Sequence, residues 1–310
     1  MRFFLKNYSF FIVLALTFAA LPFTCIRETC AVEKPVFDKD NAWNHLIAQC
    51  DYGVRNPGSP GHLNCREYLL YTLQRYTSQV QTQPFTHYDA RLKTTYNLDN
   101  IIADFGAENG KKIILCAHWD TRPWSEYDPD PKKKWEPIIG ANDGASGVAV
   151  LLEIARLFQK FPPPEPVRII LFDGEDYGRP GEIWDYLLGS KHFAKNADPS
   201  EYQFAVLLDM IGDENLEIKR EYNSYRDCRE LQDRVWNIAR KVGSGQFSNK
   251  LTGPITDDHI SLIEIGIPAV DLIDFEYPYW HTQSDTPEHC SKESLNAVGK
   301  VLVELIYGDR

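Results

Sequence analysis

Residues 167–172, VRIILF, form an apolar run that ends abruptly in the acids Asp173, Glu175 and Asp176. Crowded carboxylates repel one another unless a cation, a proton or a substrate amine offsets the repulsion. Comparable polar residues close other apolar runs. His118 follows the run in KKIILCAHWD (111–120), Asp209 closes AVLLD, and His281 stands in YWHTQSD, just beyond 267–274. Asp143, in GANDGASG, stands where a helix is expected to begin. Two histidines and three carboxylates at such boundaries are donors that a hard-to-borderline cation such as zinc accepts. A catalytic zinc keeps three protein ligands and an open position. Of the adjacent pair, Asp176 is assigned to metal, and Glu175, which reaches further, to proton transfer as general base or acid. Each residue alone has a plainer reading: Asp143 as a helix cap, Asp209 as the partner of a lysine, each histidine as structural. Asp173 is expected to cap its turn. The case rests on their joint placement.

The elements that must position these residues follow from hydrophobic periodicity. Helices are expected over about 38–50, 62–77, 143–160, 189–196, 226–242 and 291–306. Strands are expected at VQTQPFTH, YNLDNIIADF, 111–120, 167–172, 203–210, 216–222 and 267–274, with a long polar loop over 121–141. Several strands are continuously apolar, as in a sheet covered on both faces. Strands alternating with helices indicate an α/β fold with a largely parallel central sheet. Ligands in such sheets bind beyond the carboxyl ends of the strands, where the residues of interest stand.

The formal net charge of -11 argues against nucleic acid or an anionic membrane as partner. Residues 1–31 read as an export signal: Arg2 and Lys6 precede the apolar stretch Phe10–Phe23, with Thr29-Cys30-Ala31 as the cleavage region. The mature chain, one domain over 32–310, is then periplasmic or secreted. The apolar stretch is shorter than the roughly 18 residues of a membrane span, so no integral span is expected. Of the seven cysteines, no two form a CxxC pair, which disfavours a cysteine zinc site. Cys50 and Cys65 are the nearest pair in sequence that export could oxidise, and Cys116, inside an apolar run, reads as a buried thiol.

The words HWDTRPW, GANDGASGVAVLLE, FDGED, LLDMIG, TDDHI and YWHT occur in this order. Together they resemble the zinc-dependent glutaminyl cyclases, particularly bacterial members of the animal type, which are relatives of the zinc aminopeptidases. The resemblance spans about residues 40–306. It implies a three-layer α/β/α fold with a central mixed, mostly parallel sheet of the aminopeptidase (phosphorylase/hydrolase-like) kind. It implies one zinc held by Asp143, Asp176 and His281, with Glu175 as proton shuttle. Asp209 and Asp257 match acids of a hydrogen-bond network around the substrate amine. Trp280 matches an aromatic wall of the pocket, and Trp119 is a weaker candidate for the same wall, as is Trp124. The implied reaction converts N-terminal Gln of peptides or proteins to pyroglutamate and releases ammonia. Two positions depart from the animal pattern: Asp176 stands where those enzymes have Glu, and Asp271 near a His.

Two other readings compete. His118 and Asp209 complete a set that holds a second zinc in the aminopeptidases, so a di-zinc aminopeptidase is the alternative, with two ions activating a bridging hydroxide. A domain that only binds partners should have lost metal donors, yet Asp143, Glu175, Asp176, Asp209 and His281 are all present.

Overall fold

Asp38 caps helix α1 (Lys39–Asp51), its carboxylate accepting the N–H groups of Asp40 and Asn41. Ser59 caps α2 (Pro60–Gln74), with Pro60 in the first turn, where its missing N–H costs nothing. The helix therefore starts two residues before the apolar periodicity does. The computed structural model describes residues 34–308; the export signal expected over 1–31 lies outside the described residues.

The chain continues through β1 (Val80–Asp89), β2 (Thr94–Phe105), β3 (Lys112–His118), α3 (Ala145–Lys160), β4 (Val167–Phe172), α4 (Leu188–Asn196) and β5 (Tyr202–Asp209). It then forms β6 (Ile218–Arg220), α5 (Tyr222–Asp227), α6 (Arg229–Val242), β7 (Phe247–Leu251), α7 (Asp258–Glu264), β8 (Ala269–Ile273) and α8 (Lys292–Tyr307). The main sheet has the order β1-β2-β4-β3-β5-β8. Strands β4, β3, β5 and β8 run parallel, and β1 and β2 add an antiparallel edge.

Alternation along the parallel strands sorts the core into two layers. Ile113, Leu115, Ala117, Val206 and Leu208 face the larger layer, built with α1, α2, α3, α6 and α8. Ile114, Cys116, Ala205 and Leu207 face the smaller one, with Phe193 of α4 and Leu262 of α7. His118 and Asp209 continue the second series, so both project from the strand ends to the same side. Gly147 of α3 lets that helix lie on the sheet, since a Cβ there would meet the Leu208 carbonyl oxygen at 2.4 Å.

Several local expectations change. The helix expected over 226–242 is two helices, α5 and α6, because Cys228 (φ -134, ψ 39) leaves the helical region. The strand expected over 216–222 shortens to β6, because the Glu221 side chain turns back to cap α5 through Asn223 and Ser224. Strand β7, half exposed and paired only with β6, carries no alternating apolar signal. Helix α7, seven residues long, is too short for a helical period to show. The five described cysteines are all free thiols, so Cys50 and Cys65 form no disulfide, and Cys116 is fully buried. Among the described residues, no helix is long and apolar enough to cross a membrane.

Asp173 does not cap its turn. It is fully buried, accepts from His62 Nε2 at 2.9 Å and from the Asp99 N–H at 2.7 Å, and so ties α2 to the sheet. Removing one partner of a buried pair leaves the other uncompensated. Asp173→Ala is expected to destabilise the fold by about 3–5 kcal/mol in chemical denaturation.

Candidate active site

The ends of strands β4, β5 and β8 converge on a cavity of about 400 Å³. Asp143, Glu175, Asp176, Asp209, Asp257 and His281 all line it, although they span most of the sequence. His281 is held with φ +53, a left-handed conformation that a non-glycine residue adopts only when its surroundings over-determine it. Asp143 is not the cap of α3. Gly144 takes that position with φ +98, and a Cβ there would meet the Asp120 carbonyl oxygen at 2.6 Å. The Asp143 side chain is thereby free to face the cavity.

Asp143, Asp176 and His281 each present a donor atom, all within 4.8 Å of one another. His281 Nε2 lies 3.4 Å from Asp176 Oδ1 and 3.6 Å from Asp143 Oδ2. Asp143 Oδ2 and Asp176 Oδ2 are buried and accept no hydrogen bond. Buried carboxylate oxygens are rarely left so, and two of them beside an imidazole nitrogen suit a divalent cation. These residues therefore fit zinc.

The 121–141 segment, expected as a polar loop, forms no helix or strand but is no mere solvated connection. Arg55, fully buried, fixes both its ends by donating to the carbonyls of Trp119, Ile139 and Gly140. Arg122 donates to Asp176 Oδ1 at 2.7 Å and also engages Glu126. Glu126 Oε1 lies 3.0 Å from His281 Nδ1, an arrangement that would keep the proton on Nδ1 and leave Nε2 free for a metal. Burial opposes ionisation of Asp176, but Arg122 and His281 outweigh it and hold its carboxyl near 2. Asp176 thus gives one oxygen to Arg122 and keeps the other free. Arg122 and Glu126 escaped the sequence reading because they sit in a Pro-rich charged stretch; only HWDTRPW, with Arg122 inside it, pointed there. Glu126→Gln is expected to weaken zinc binding by about 10–100-fold in competition with a chelator, as for other residues that orient metal-bound histidines.

Asp120, fully buried, accepts the N–H groups of Glu175 and Asp176 and so fixes the turn after β4. Burial and neighbouring Asp176 push the Glu175 carboxyl well above its usual range, the direction that suits a group exchanging protons near neutral pH. Burial, together with Asp209 and Asp258, likewise raises Asp257. His118 Nε2 contacts Asp143 Oδ1 at 3.1 Å and Asp209 Oδ1 at 3.2 Å. Burial alone would lower the His118 pKa, but Asp120, Asp143 and Asp209 raise it well above the usual value.

Trp280 is half-buried at the cavity wall, 4.0 Å from the His281 ring centre and 4.8 Å from that of Phe275. Trp119 is not part of this wall. One residue beyond His118, it points to the opposite face of the sheet, where it is fully buried and stacks on His62 at 4.4 Å. Trp124 sits apart from the cavity lining too, packed under the Arg179 guanidinium at 4.7 Å.

Residues 100–306, which contain every one of these cavity acids and His281, match peptidase family M28. The chain belongs to this family. Among solved structures, it is 37% identical to the Bacteroides thetaiotaomicron glutaminyl cyclase, solved with N-acetylhistamine bound, over 89% of this chain and 99% of that one, with a TM-score of 0.85. It is also 37% identical to a Zn-dependent exopeptidase from Parabacteroides distasonis, over 89% of this chain and 100% of that one, with a TM-score of 0.86. A curated relative, the mouse glutaminyl-peptide cyclotransferase-like protein, is 25% identical over 80% of this chain and 70% of its own length. The central mixed sheet between helical layers is the fold of these solved structures.

Proposed function

We propose that this M28 protein is a zinc-dependent glutaminyl-peptide cyclotransferase. It would act on peptides or proteins with N-terminal Gln after export and removal of residues 1–31, as one catalytic domain over 32–310. The observation that carries the reading is the donor set Asp143, Asp176 and His281, with two unpaired carboxylate oxygens, set beside Glu175 and Trp280 in one cavity. When bound there, zinc polarises the γ-carboxamide and favours attack at its carbon. Glu175 takes the proton from the α-amine as its nitrogen attacks and returns it to the departing ammonia. The nucleophile belongs to the substrate, so the reaction is intramolecular and depends on a correctly folded chain. Asp209 and Asp257, on the cavity wall, receive the substrate amine. Trp280 packs on the Gln side chain and excludes water.

The alternative is a di-zinc aminopeptidase, with His118, Asp143 and Asp209 holding the second ion. The unpaired oxygens Asp143 Oδ2 and Asp176 Oδ2 favour the first centre, because His118 Nε2 already contacts the other Asp143 oxygen and Asp209 Oδ1. Mass spectrometry of two peptides tests the choice. A cyclase removes only ammonia from a Gln peptide and leaves a Leu peptide intact. Loss of a whole first residue from either peptide makes the protein an aminopeptidase, and a zinc that His118→Ala removes would then be its second ion.

A further inference from the structure

Behind the cavity wall lies a second group of donors that the proposed chemistry does not use as ligands. Asp257, His259 and Asp271 each present one donor atom, all within 4.8 Å of one another, and all three side chains are buried. Asp271 lies on β8 on the same face as Asp209, one step deeper, with Asp257 and His259 at the start of α7 above it. Neither oxygen of Asp271, nor Asp257 Oδ2, nor His259 Nδ1 makes a hydrogen bond. His259 Nδ1 stands 3.7 Å from Asp271 Oδ2, too far for one. Four unsatisfied atoms facing one another in a protein interior call for something between them.

The His259 ring lies between two carboxylates. Its other nitrogen, Nε2, lies 3.3 Å from Glu221 Oε2. Glu221 is fixed in turn: it accepts the N–H groups of Asn223, Ser224 and Ile255, and the Ser224 hydroxyl. A fixed carboxylate thus stands near one imidazole nitrogen and the other nitrogen is turned toward free carboxylate oxygens, although neither nitrogen makes a hydrogen bond. Such carboxylate–histidine pairs support metal ligands.

We propose that Asp257, His259 and Asp271 form a second, buried site for a divalent cation of the zinc class, separate from the Asp143–Asp176–His281 centre. Two carboxylates and an imidazole select a borderline metal over calcium, which takes more oxygen ligands. Asp257, which also lines the cavity, gives the ion its way in and links the two sites.

Zinc per chain, measured by mass spectrometry of the dialysed, zinc-loaded protein, tests the proposal. Asp271→Asn, which keeps the side-chain shape, is expected to lose one equivalent relative to the wild type. His281→Ala should lose a different one, and the double variant should hold none. Anomalous diffraction of wild-type crystals at the zinc edge, which requires no variant to fold, should place density among Asp257, His259 and Asp271. A single anomalous peak at His281, or wild-type zinc content in Asp271→Asn, overturns the proposal. Unchanged content in His281→Ala would instead count against the catalytic centre and leave the Asp271 result to be read on its own.

Discussion

Replacing Glu175 by Gln should lower the turnover of a Gln peptide by roughly 10²–10⁴-fold, the usual contribution of a well-placed acid–base group. Zinc content should stay at the wild-type level. Glu175 lines the cavity beside Asp176 but stands outside the donor set. Gln preserves its shape and removes only its ability to exchange a proton. Single-turnover kinetics with parallel metal analysis check this. Wild-type turnover would remove Glu175 from the mechanism, and loss of zinc would recast it as a ligand.

His281→Ala should abolish both zinc binding and cyclisation, because it removes the only nitrogen donor of the Asp143–Asp176–His281 set. Asp143 and Asp176 would remain as a buried acid pair with no cation between them, which penalises both. The wild-type protein should also show a marked pH dependence of metal binding. Burial alone would lower the His281 pKa, but Asp176 and Glu126 raise it to about 9 in the metal-free protein. Zinc must displace that proton. Its affinity should therefore fall by about tenfold for each pH unit below the His281 pKa and level off above it. Chelator competition across pH measures this directly, and a flat profile would show that His281 binds no proton when the metal leaves.

Where sequence reading succeeded, the signal was periodic or terminal. The continuous apolar runs became β3, β4, β5 and β8, and polar residues at the ends of the last three met in one cavity because parallel strands bring their carboxyl ends together. Trp119 failed for the same reason that His118 succeeded: neighbours on a strand face opposite ways. Arg122 and Glu126 were hidden because their places depend on contacts with Asp176 and His281, more than 50 residues away in sequence. Asp173 lies close to the acids that matter, but its partner His62 comes from a distant helix. A run of carboxylates does not by itself show which of them face the cavity and which face the core.

The segment that carries Glu126 also carries Tyr127, whose ring lies 5.1 Å from that of Trp280 at the cavity wall and stacks on His281. One short stretch thus sets the shape of the entrance and steadies the histidine proposed to bind the metal. An insertion that widened the mouth to admit bulkier peptides would also shift the carboxylate that orients His281. Selection for new substrates, natural or in the laboratory, would then meet a trade-off: breadth of substrate gained through this strap is lost as grip on the ion. Phe275, which lines the cavity and packs on Trp280 rather than on Glu126 or Arg122, offers a freer position for such variation.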